Sequence, residues 1–414
     1  MSLSNKSAVI TLGGKGTRLS EVTKNIPKPL WPINGINTLE RIILNLSNQG
    51  VNKFFWLLGY KYDSFLKESK LLQAKYGVEI TLYKEEFCLG EAGALFEIID
   101  FLDDIFLFVN GDIIFDIDID RLYAFHKNYG SDISFITHLT SHPEDSDCIS
   151  EKHNFSISKY KFKNQNILVD DMYLGNAGIA LLSKKVVKNL KEDIYKVNLQ
   201  YSLFKDFIVE ASNRGFFVFS YNTSEYLKDI GTPSRLRQVS SDIKKDKVSN
   251  DSYRKSQKVL FLDRDDTLIS CPKHQYILDG NFQLKEKIVK YISKIAQNYN
   301  FVILITNQPQ IAMGLVSYQQ VIDINAKLIL SCQKLGLNIA ACYVCPHHNH
   351  KGYGGEISFL KTSCFCRKPL PGNFLKAAYE RNINLKESLL IGDSWRDNQA
   401  AKIIGMKFIN VKNL

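Results

Sequence analysis

The chain has 414 residues, of which 45% are hydrophobic and 23% charged, and its formal net charge is +10. This composition is typical of a soluble protein with two or three domains, and it excludes a fibrous or low-complexity chain. The longest apolar runs, such as 301–305, have the length of a strand, so we expect no membrane span. Because the N-terminus has no secretion signal, we expect a cytoplasmic enzyme.

The positive charge favours anionic partners. The basic residues are scattered, with no run of five and no interleaved aromatic side chains. This pattern argues against nucleic acid and leaves phosphorylated metabolites as the expected partners. We expect no nucleic-acid and no membrane partner, and the sequence leaves a homo-oligomer open.

Strand-like runs alternate with helical patterns along the chain, which is typical of doubly wound α/β architecture. In the first part, apolar runs predict strands at 8–12, 54–58, 78–83, 105–110 and 216–221. One helix between the first two strands ends at Gly50. Its apolar face consists of Leu39, Ile42, Ile43 and Leu46.

The composition changes at 241–258, where charged residues dominate and almost nothing can be buried. This segment indicates a linker or a solvated helix at a domain boundary. The alternation then restarts, with strands predicted at 259–262, 301–305, 339–344 and 389–391 and helices at about 283–297, 317–335 and 372–381. The sequence therefore predicts two doubly wound, Rossmann-like α/β domains over 1–240 and 257–414, joined by a linker over 241–256.

A glycine-rich loop follows the first predicted strand and contains Gly13, Gly14, Gly16, Thr17 and Arg18. Glycines let backbone N–H groups close around phosphate oxygens, and Arg18 adds a bidentate cation. Beyond the loop, Pro27 and Pro29 hold Lys28 in a rigid segment, which suits a charge that meets a phosphate at fixed geometry. For the loop taken alone, a structural turn is the alternative.

Together these segments, GGKGTRL at 13–19 and PKPL at 27–30, resemble the sugar nucleotidyltransferase family over about residues 7–240. The resemblance implies that the chain joins a nucleoside triphosphate to a sugar 1-phosphate and releases pyrophosphate, with Arg18 and Lys28 bracing the phosphates. The implied binding residues are Gly13, Gly14, Gly16 and Thr17 for the nucleotide, Gly90 and Gly93 in a base-reading loop at 89–94, and Asn176 and Gly178 for the sugar.

The same resemblance assigns Mg²⁺ to Asp112 and Asp229. Asp112 also follows a predicted strand, at the edge where α/β sheets bind ligands, although a lone aspartate there is more often a turn cap. Two residues depart from the family pattern. Leu12 replaces a small residue before the glycines, and Glu91 replaces a small or hydroxyl residue, so the choice of base stays open.

Two aspartates, Asp263 and Asp265, follow the predicted strand 259–262. Both carboxylates can face one cavity, where a cation or protonation must relieve their repulsion. A solvated acidic turn is the alternative. Later strand and loop ends add a hydroxyl, cations and a third carboxylate, from Thr306, Arg367, Lys368 and Asp393.

This ordered set resembles the haloacid dehalogenase superfamily of phosphatases over about 257–414. The resemblance implies that Asp263 is the nucleophile that becomes an aspartyl phosphate, and that Asp265 is the acid and base. The other implied residues are Thr306 and Lys368 for the phosphoryl oxygens, Asn307 and Arg367 for substrate, and Asp393 with Asp263 and the carbonyl of Asp265 for Mg²⁺. Asp266 stands where the family has glycine, but aspartate tolerates the left-handed conformation that such a turn requires.

Cys345 and His347 form a C-x-H pair, and Cys364 and Cys366 form a C-x-C pair that is separated from the first by sixteen residues. Three sulfurs and one imidazole suit a tetrahedral structural zinc site. Buried free thiols are the alternative. Two further histidines could compete as ligands: His348 and His350. The pattern resembles the subfamily that contains heptose bisphosphate and histidinol phosphatases, in which zinc rigidifies a loop over the active site.

The leading interpretation is a bifunctional enzyme, a nucleotidyltransferase fused to a phosphatase in one nucleotide-sugar pathway. The fusion most resembles enzymes that make a GDP-activated heptose for surface polysaccharide. One alternative is a transferase for mannose or another hexose 1-phosphate, with a histidinol-phosphatase-like domain. Another is that one domain is a non-catalytic regulatory module.

Overall fold

The computed structural model describes residues 6–14, 23, 26–140, 145–163, 165, 174–196, 199–271, 277, 280–349 and 352–414. Its described part contains two α/β units, which confirms the predicted fold class. Across that part, no helix combines the length and the apolar character that a membrane crossing requires.

Nine strands of the described residues form the sheet of the first unit. They are Lys6–Thr11, Val51–Leu58, Glu79–Lys84, Ile105–Asn110, Ile133–Leu139, Cys148–Glu151, Ile157–Lys161, Leu174–Ser183 and Val218–Asn222. Lys6–Thr11 lies parallel between Val51–Leu58 and Ile105–Asn110, whereas Leu174–Ser183 runs antiparallel to Ile105–Asn110. The sheet is therefore mixed, and its parallel strands bring their carboxyl ends to one edge.

Two short antiparallel pairs accompany this sheet, Pro32–Ile33 with Ile36–Asn37 and Ile113–Asp116 with Tyr226–Asp229. Among the described residues of this unit, the α-helices are Thr38–Ser47, Tyr62–Tyr76, Ile119–Asn128, Lys184–Ile194, Glu210–Asn213, Pro233–Lys244 and Lys247–Asn250, and Leu203–Val209 is a π-helix. Thr38–Ser47 begins where the Asn37 side chain accepts a hydrogen bond from the Glu40 N–H at 2.7 Å. Its predicted apolar face is buried in the core, which confirms that helix.

In the second unit, five strands of the described residues form a parallel sheet. In spatial order its strands are Ile339–Cys345, Phe301–Asn307, Val259–Leu262, Leu389–Gly392 and Lys407–Asn410. Its helices are Glu286–Ala296, Tyr318–Lys334, Gly372–Arg381 and Trp395–Ile404, and a short strand pair joins Ile269–Ser270 to Gln283–Leu284. All four residues of the central strand Val259–Leu262 are buried, as expected for a parallel strand covered on both faces.

The segment between the units is helical and bonded to both of them. It contains the end of Pro233–Lys244, the helix Lys247–Asn250 and then Tyr253, which is 1% exposed. The Tyr253 N–H donates to Glu225 Oε1 at 2.8 Å, and its hydroxyl accepts a hydrogen bond from Arg381 at 2.7 Å. The domain bounds themselves stay a prediction.

Glu225 lies at this junction and is 3% exposed. Its Oε1 accepts hydrogen bonds from the backbone N–H groups of Tyr253 and Asp118, both at 2.8 Å, and its Oε2 accepts one from the Thr223 hydroxyl at 3.0 Å. Burial outweighs these hydrogen bonds and raises the pKa of Glu225 to about 7.

We expect Glu225→Gln to remove part of the pH dependence of stability. An unfolded glutamate loses its proton near pH 4.5. Between pH 4.5 and about 7, Glu225 of the folded wild type keeps a proton that the unfolded chain has lost. The stability of wild type therefore falls as pH rises through this range. The amide keeps an acceptor for the two N–H groups and avoids the buried charge. The variant should therefore gain up to about 3 kcal/mol relative to wild type above pH 7.

Thermal unfolding of both proteins between pH 4.5 and 8 tests this. The difference between the two melting temperatures should grow with pH and level off above about 7. A difference that is independent of pH would show that Glu225 is ionised in the folded protein throughout this range.

Candidate active sites and metal centre

A cavity of about 370 Å³ opens at the carboxyl ends of the parallel strands in the first unit. It is lined by five residues predicted to bind nucleotide, phosphate or metal: Gly13, Gly14, Lys28, Gly90 and Asp112. Strand Lys6–Thr11 leads to the glycines and its parallel neighbour Ile105–Asn110 leads to Asp112, so the pairing brings both to one edge. The other members of the predicted loop, Gly16, Thr17 and Arg18, lie outside the described residues.

The two glycines of the predicted base-reading loop differ in position. Gly90 lines the cavity with a φ of +83°, and a Cβ there would lie 2.5 Å from the Tyr201 carbonyl oxygen, so a side chain does not fit. Gly93 is buried, and a Cβ there would lie 2.8 Å from Cβ of Leu89. The contacts of Gly93 are thus packing contacts rather than cavity contacts.

Asn176 and Gly178 lie on strand Leu174–Ser183, at an irregularity in its pairing with Ile133–Leu139. Asn176 Oδ1 accepts a hydrogen bond from the Gly178 N–H at 3.3 Å. A Cβ on Gly178 would lie 2.4 Å from Nδ2 of Asn110, a residue that lines the cavity. The pair therefore lies beside the cavity, and its contact with a sugar stays a prediction.

Asp112 and Asp229 are brought together by the antiparallel pair Ile113–Asp116 and Tyr226–Asp229, in which Asp229 faces Ile113. The Ile230 N–H donates to the Asp112 carbonyl at 3.0 Å. Lys28 Nζ lies 2.5 Å from Asp112 Oδ2. Two neighbouring carboxylates beside a cavity lined by residues predicted to bind phosphate fit Mg²⁺, which proteins usually hold with one or two carboxylates and substrate phosphates.

Arg235 is a site residue that the sequence did not indicate. Its Nη1 donates to both oxygens of Asp229 at 2.9 Å, and the Gly231 N–H donates to Asp229 Oδ1 at 2.7 Å. Burial raises the pKa of Asp229, but the hydrogen bond from Gly231 and the charge of Arg235 outweigh it, so the pKa is lowered overall. Asp229 is thus held as a carboxylate.

In the second unit, Asp263 follows the central strand, and Lys368 is the cation beside it. Lys368 Nζ donates to Asp263 Oδ1 at 2.6 Å, lies 2.7 Å from Asp397 Oδ1 and donates to the Ile305 carbonyl at 2.9 Å. Ligand oxygens of Asp263, Asp393 and Asp397 lie within 4.8 Å of one another. Three carboxylates against one lysine leave net negative charge, which fits Mg²⁺.

The pKa of Asp263 reflects this charge balance. Burial raises it, Lys368 lowers it, and the neighbouring carboxylates of Asp397 and Asp265 raise it again, to about 7 overall. A divalent cation would favour the ionised carboxylate, which is the form a nucleophile needs.

Asp265 is held by two side chains that the sequence did not single out. Arg264, 1% exposed, donates from Nε to Asp265 Oδ1 at 2.9 Å, and Gln308 Nε2 donates to Asp265 Oδ2 at 2.7 Å. Arg264 Nη2 also donates to Gln308 Oε1 at 2.6 Å. Asp266, the departure from the family pattern, has a φ of +56°, so the left-handed turn forms with aspartate.

Three other predicted residues make contacts that position the site. Thr306 is fully buried and its hydroxyl accepts a hydrogen bond from Gln308 at 2.6 Å. Asn307 donates to the Lys368 carbonyl and accepts from the Lys368 N–H, both at 3.0 Å, so in this structure it orients the lysine backbone. Arg367 Nη1 donates to the His347 carbonyl at 3.3 Å. Their contacts with substrate stay predictions.

Cys345, His347, Cys364 and Cys366 form a compact group whose ligand atoms lie within 4.8 Å of one another. The sulfur of Cys364 lies 3.6 Å from that of Cys345 and 3.4 Å from that of Cys366, and His347 Nδ1 lies 3.2 Å from Cys366 Sγ. Sulfurs bound to one zinc ion at about 2.3 Å lie about 3.8 Å apart in a tetrahedron, so the group fits zinc. Partial burial lowers the pKa of His347, which favours the neutral imidazole that a metal requires.

Known protein families match both units. A nucleotidyl transferase family model matches residues 7–246, and a HAD-hydrolase-like model matches residues 365–413. Over 143 residues the chain is 33% identical to a D-glycero-beta-D-manno-heptose-1,7-bisphosphate 7-phosphatase of Yersinia pestis, which covers 34% of this chain and 73% of the relative.

The chain is also 29% identical, over 223 residues, to a D-glycero-alpha-D-manno-heptose 1-phosphate guanylyltransferase of Campylobacter jejuni. This match covers 49% of this chain and 93% of the relative. A Bacillus anthracis protein of known structure, assigned as a glucose-1-phosphate thymidylyltransferase, is 21% identical, with a TM-score of 0.51. The match covers 57% of this chain and 94% of that protein's chain. The last similarity concerns the fold alone.

We expect purified protein to contain about one zinc ion per chain. The variant Cys366→Ser should lose most of this zinc, because three ligands hold zinc less tightly than four. Cys366 lies two residues before Lys368, so phosphatase activity should fall at least about tenfold. Zinc content by plasma mass spectrometry and phosphate release are the measurements. Cys88→Ser is the control, because Cys88 is an exposed cysteine of the first unit. Fresh wild type that lacks zinc but keeps full phosphatase activity would contradict the assignment.

Proposed function

Since the chain belongs to the nucleotidyl transferase family through residues 7–246 and to the HAD-like phosphatases through its C-terminal part, we propose that it makes a GDP-activated heptose in two steps. The second unit removes the 7-phosphate from a heptose 1,7-bisphosphate. The first unit then joins the heptose 1-phosphate to GTP and releases pyrophosphate. The observation that carries this proposal is that the two parts of one chain resemble relatives named for two heptose phosphate reactions.

The names of these relatives differ at the anomeric centre, which is β for the phosphatase and α for the guanylyltransferase. Neither reaction breaks the bond between C1 and its oxygen, because one cleaves the distal phosphate and the other uses an oxygen of the 1-phosphate as nucleophile. One chain that performs both steps must therefore carry one anomer throughout. We propose the α anomer, since the transferase is the unit that uses the 1-phosphate.

In the first unit, an oxygen of the sugar 1-phosphate attacks the α-phosphorus of GTP in line with the leaving pyrophosphate. Lys28 braces the phosphates from the cavity wall. Mg²⁺ held by Asp112 and Asp229 would neutralise phosphate charge. Arg235 keeps both oxygens of Asp229 in place.

In the second unit, Asp263 attacks the distal phosphorus and becomes an aspartyl phosphate. Among the described residues, Lys368 donates a hydrogen bond to Oδ1 of this carboxylate, and Oδ2 is therefore available for the attack. Asp265 protonates the leaving sugar oxygen and then takes a proton from the water that hydrolyses the intermediate. Mg²⁺ held with Asp393 would offset the negative charge of the three carboxylates.

The two activities should be separable by single substitutions. Asp112→Asn should lower guanylyl transfer at least about 100-fold and leave phosphatase rates within about threefold, because the two metal sites lie in separate units. Asp263→Asn should abolish phosphate release alone, since an amide cannot become an acyl phosphate. Pyrophosphate and phosphate release measure the two reactions, with the exposed Asp100→Asn as control. Equal loss of both activities in either variant would indicate one composite site.

The order of the two steps is a further expectation, with phosphate removal first. A distal phosphate adds a charge of roughly −2. Glu91 lines the transferase cavity, where burial and the nearby carboxylates of Asp147 and Asp112 raise its pKa and Lys163 lowers it only in part. A dianion placed near these carboxylates would lose hydration and be repelled by their charge.

Supplying the α-1,7-bisphosphate and GTP to wild type and to Asp263→Asn tests this order. GDP-heptose should form only with wild type, and the variant should recover when it receives the α-1-phosphate. Direct conversion of the bisphosphate by the variant would contradict the order. Parallel reactions with the β-bisphosphate and with mannose 1-phosphate test the anomer and the hexose alternative.

A further inference from the structure

A long helix of the second unit, Tyr318–Lys334, lies against the first unit. Near the end of this helix, Gln333 Nε2 donates to the Thr140 carbonyl at 2.9 Å. Near its start, Gln319 Nε2 donates to the Glu151 carbonyl at 3.4 Å. One acceptor ends a strand of the first sheet and the other directly follows a strand. The helix therefore contacts two strand ends of the first unit.

Apolar and ring contacts accompany these hydrogen bonds. Leu139 packs against the apolar cluster of the second unit, to which Leu328 and Cys332 of the helix belong. The rings of Tyr318 and His153 lie 5.4 Å apart across the two units. Because burial of apolar surface stabilises such a contact, the two strand ends are held by packing as well as by hydrogen bonds.

The helix itself is fixed within the second unit. Asn325, which is 3% exposed, accepts a hydrogen bond from Arg264 Nη1 at 3.0 Å and donates one to Cys342 Sγ at 3.4 Å. Arg264 also holds Asp265, so the middle of the helix is bonded to the phosphatase site. The helix is thus a firm support, and the strand ends of the first unit take their position from it.

Thr140 packs against the predicted sugar-contacting segment. It is 4% exposed, and a Cβ built on Gly175 would lie 3.0 Å from Cβ of Thr140, so the Gly175 backbone lies directly on the Thr140 side chain. Gly175 precedes Asn176, whose N–H donates to the Asp147 carbonyl at 2.8 Å. A shift of Thr140 would therefore displace Asn176, because closely packed atoms transmit small movements to their neighbours.

The strand ladder gives Thr140 less support than it gives the residues before it. In the described residues, the pairing of Ile133–Leu139 with Leu174–Ser183 ends where Leu139 faces Leu174. Thr140 lies one residue beyond that pair, and strand ends are the part of a sheet that opens most easily. The hydrogen bond from Gln333 restrains this strand end from the other unit.

We propose that Gln333 of the second unit is a positioning residue for the transferase reaction. By holding Thr140, and through it Gly175 and Asn176, it sets the affinity of the first unit for the sugar 1-phosphate. This inference rests on the proposed function, because it requires a sugar phosphate beside Asn176. The first unit then binds its sugar fully only while the second unit is docked against it, which is a physical reason for the two reactions to share one chain.

The effect should be confined to the sugar. In the first sheet, strand Ile105–Asn110 separates Leu174–Ser183 from Lys6–Thr11, which leads to the predicted nucleotide-binding glycines. Those glycines are therefore on a different strand from the segment that Gln333 supports. A positioning role predicts a higher KM for the sugar 1-phosphate at an unchanged KM for GTP, whereas a general loosening of the unit would raise both values.

Gln333→Met tests this inference, because methionine keeps the length of the side chain and lacks the donor. Initial rates of pyrophosphate release, with α-heptose 1-phosphate and GTP varied in turn, give both KM values. We expect KM for the sugar phosphate to rise about three- to tenfold, as for the loss of one ordinary hydrogen bond, and KM for GTP to change less than about twofold. Phosphate release should stay within about twofold, since Asn325 still bonds the helix to the phosphatase site.

Lys334→Met is the matched control, since Lys334 is the exposed neighbour in the same helix. Gln333→Lys keeps a donor and should recover most of the affinity for the sugar phosphate. Leu139→Ala weakens the same contact from the first unit and should raise the same KM. The melting temperature shows that each variant is folded.

Two results would overturn the inference and leave the proposed function intact. In both, wild type makes the nucleotide sugar, but Gln333→Met either leaves KM for the sugar phosphate unchanged or raises both KM values equally. Wild type that transfers the nucleotide to no sugar 1-phosphate would overturn the inference together with the proposed function.

Discussion

Both candidate active sites depend on the pairing of carboxylates at the strand ends with a small number of cations. Removing a carboxylate from water without a counter-charge is costly, and the cost is highest for the buried pair in the second unit. In the second unit the partner is Lys368, 3% exposed, which lies 2.6 Å from Asp263 and 2.7 Å from Asp397. In the first unit Lys28 pairs with Asp112 and Arg235 with Asp229. These ion pairs hold the ligand-binding geometry while still leaving room for a divalent cation and its phosphates.

The sequence predicted the strand ends of both sheets where the strands are parallel and buried on both faces. Val259–Leu262 and Ile105–Asn110 are continuous apolar runs followed by polar residues, so the runs and their ends are visible in the sequence. Strands in the antiparallel part were missed. Leu174–Ser183 contains two glycines and an irregular pairing at 176–180, which hide its alternation, and Ile157–Lys161 is partly exposed and rich in lysine.

Site residues were predictable where a family motif carries them, and less so where tertiary contacts decide their role. Asn307 was predicted to bind substrate, yet its side chain makes a two-way hydrogen bond with the backbone of Lys368, 61 residues away. Arg235 had no local signal, because it lies in the first turn of an ordinary helix. Its role follows from its contact with Asp229, which only the folded chain brings close.

The connection between the units limits how the two reactions can be coupled. Arg381, 7% exposed, donates to the Tyr253 hydroxyl at 2.7 Å, to Asn222 Oδ1 at 2.9 Å and to the Tyr343 hydroxyl at 3.2 Å. Asn222 belongs to the first unit, Tyr343 to the second and Tyr253 to the segment between them. Separating the units would remove the acceptor that Asn222 offers to Arg381, whereas Tyr343 would stay beside it, so the hydrogen bond to Asn222 favours the joined arrangement. Tyr253 in the connecting segment is bonded to residues of both units, so any coupling of the two reactions operates across a hydrogen-bonded interface rather than along a flexible linker.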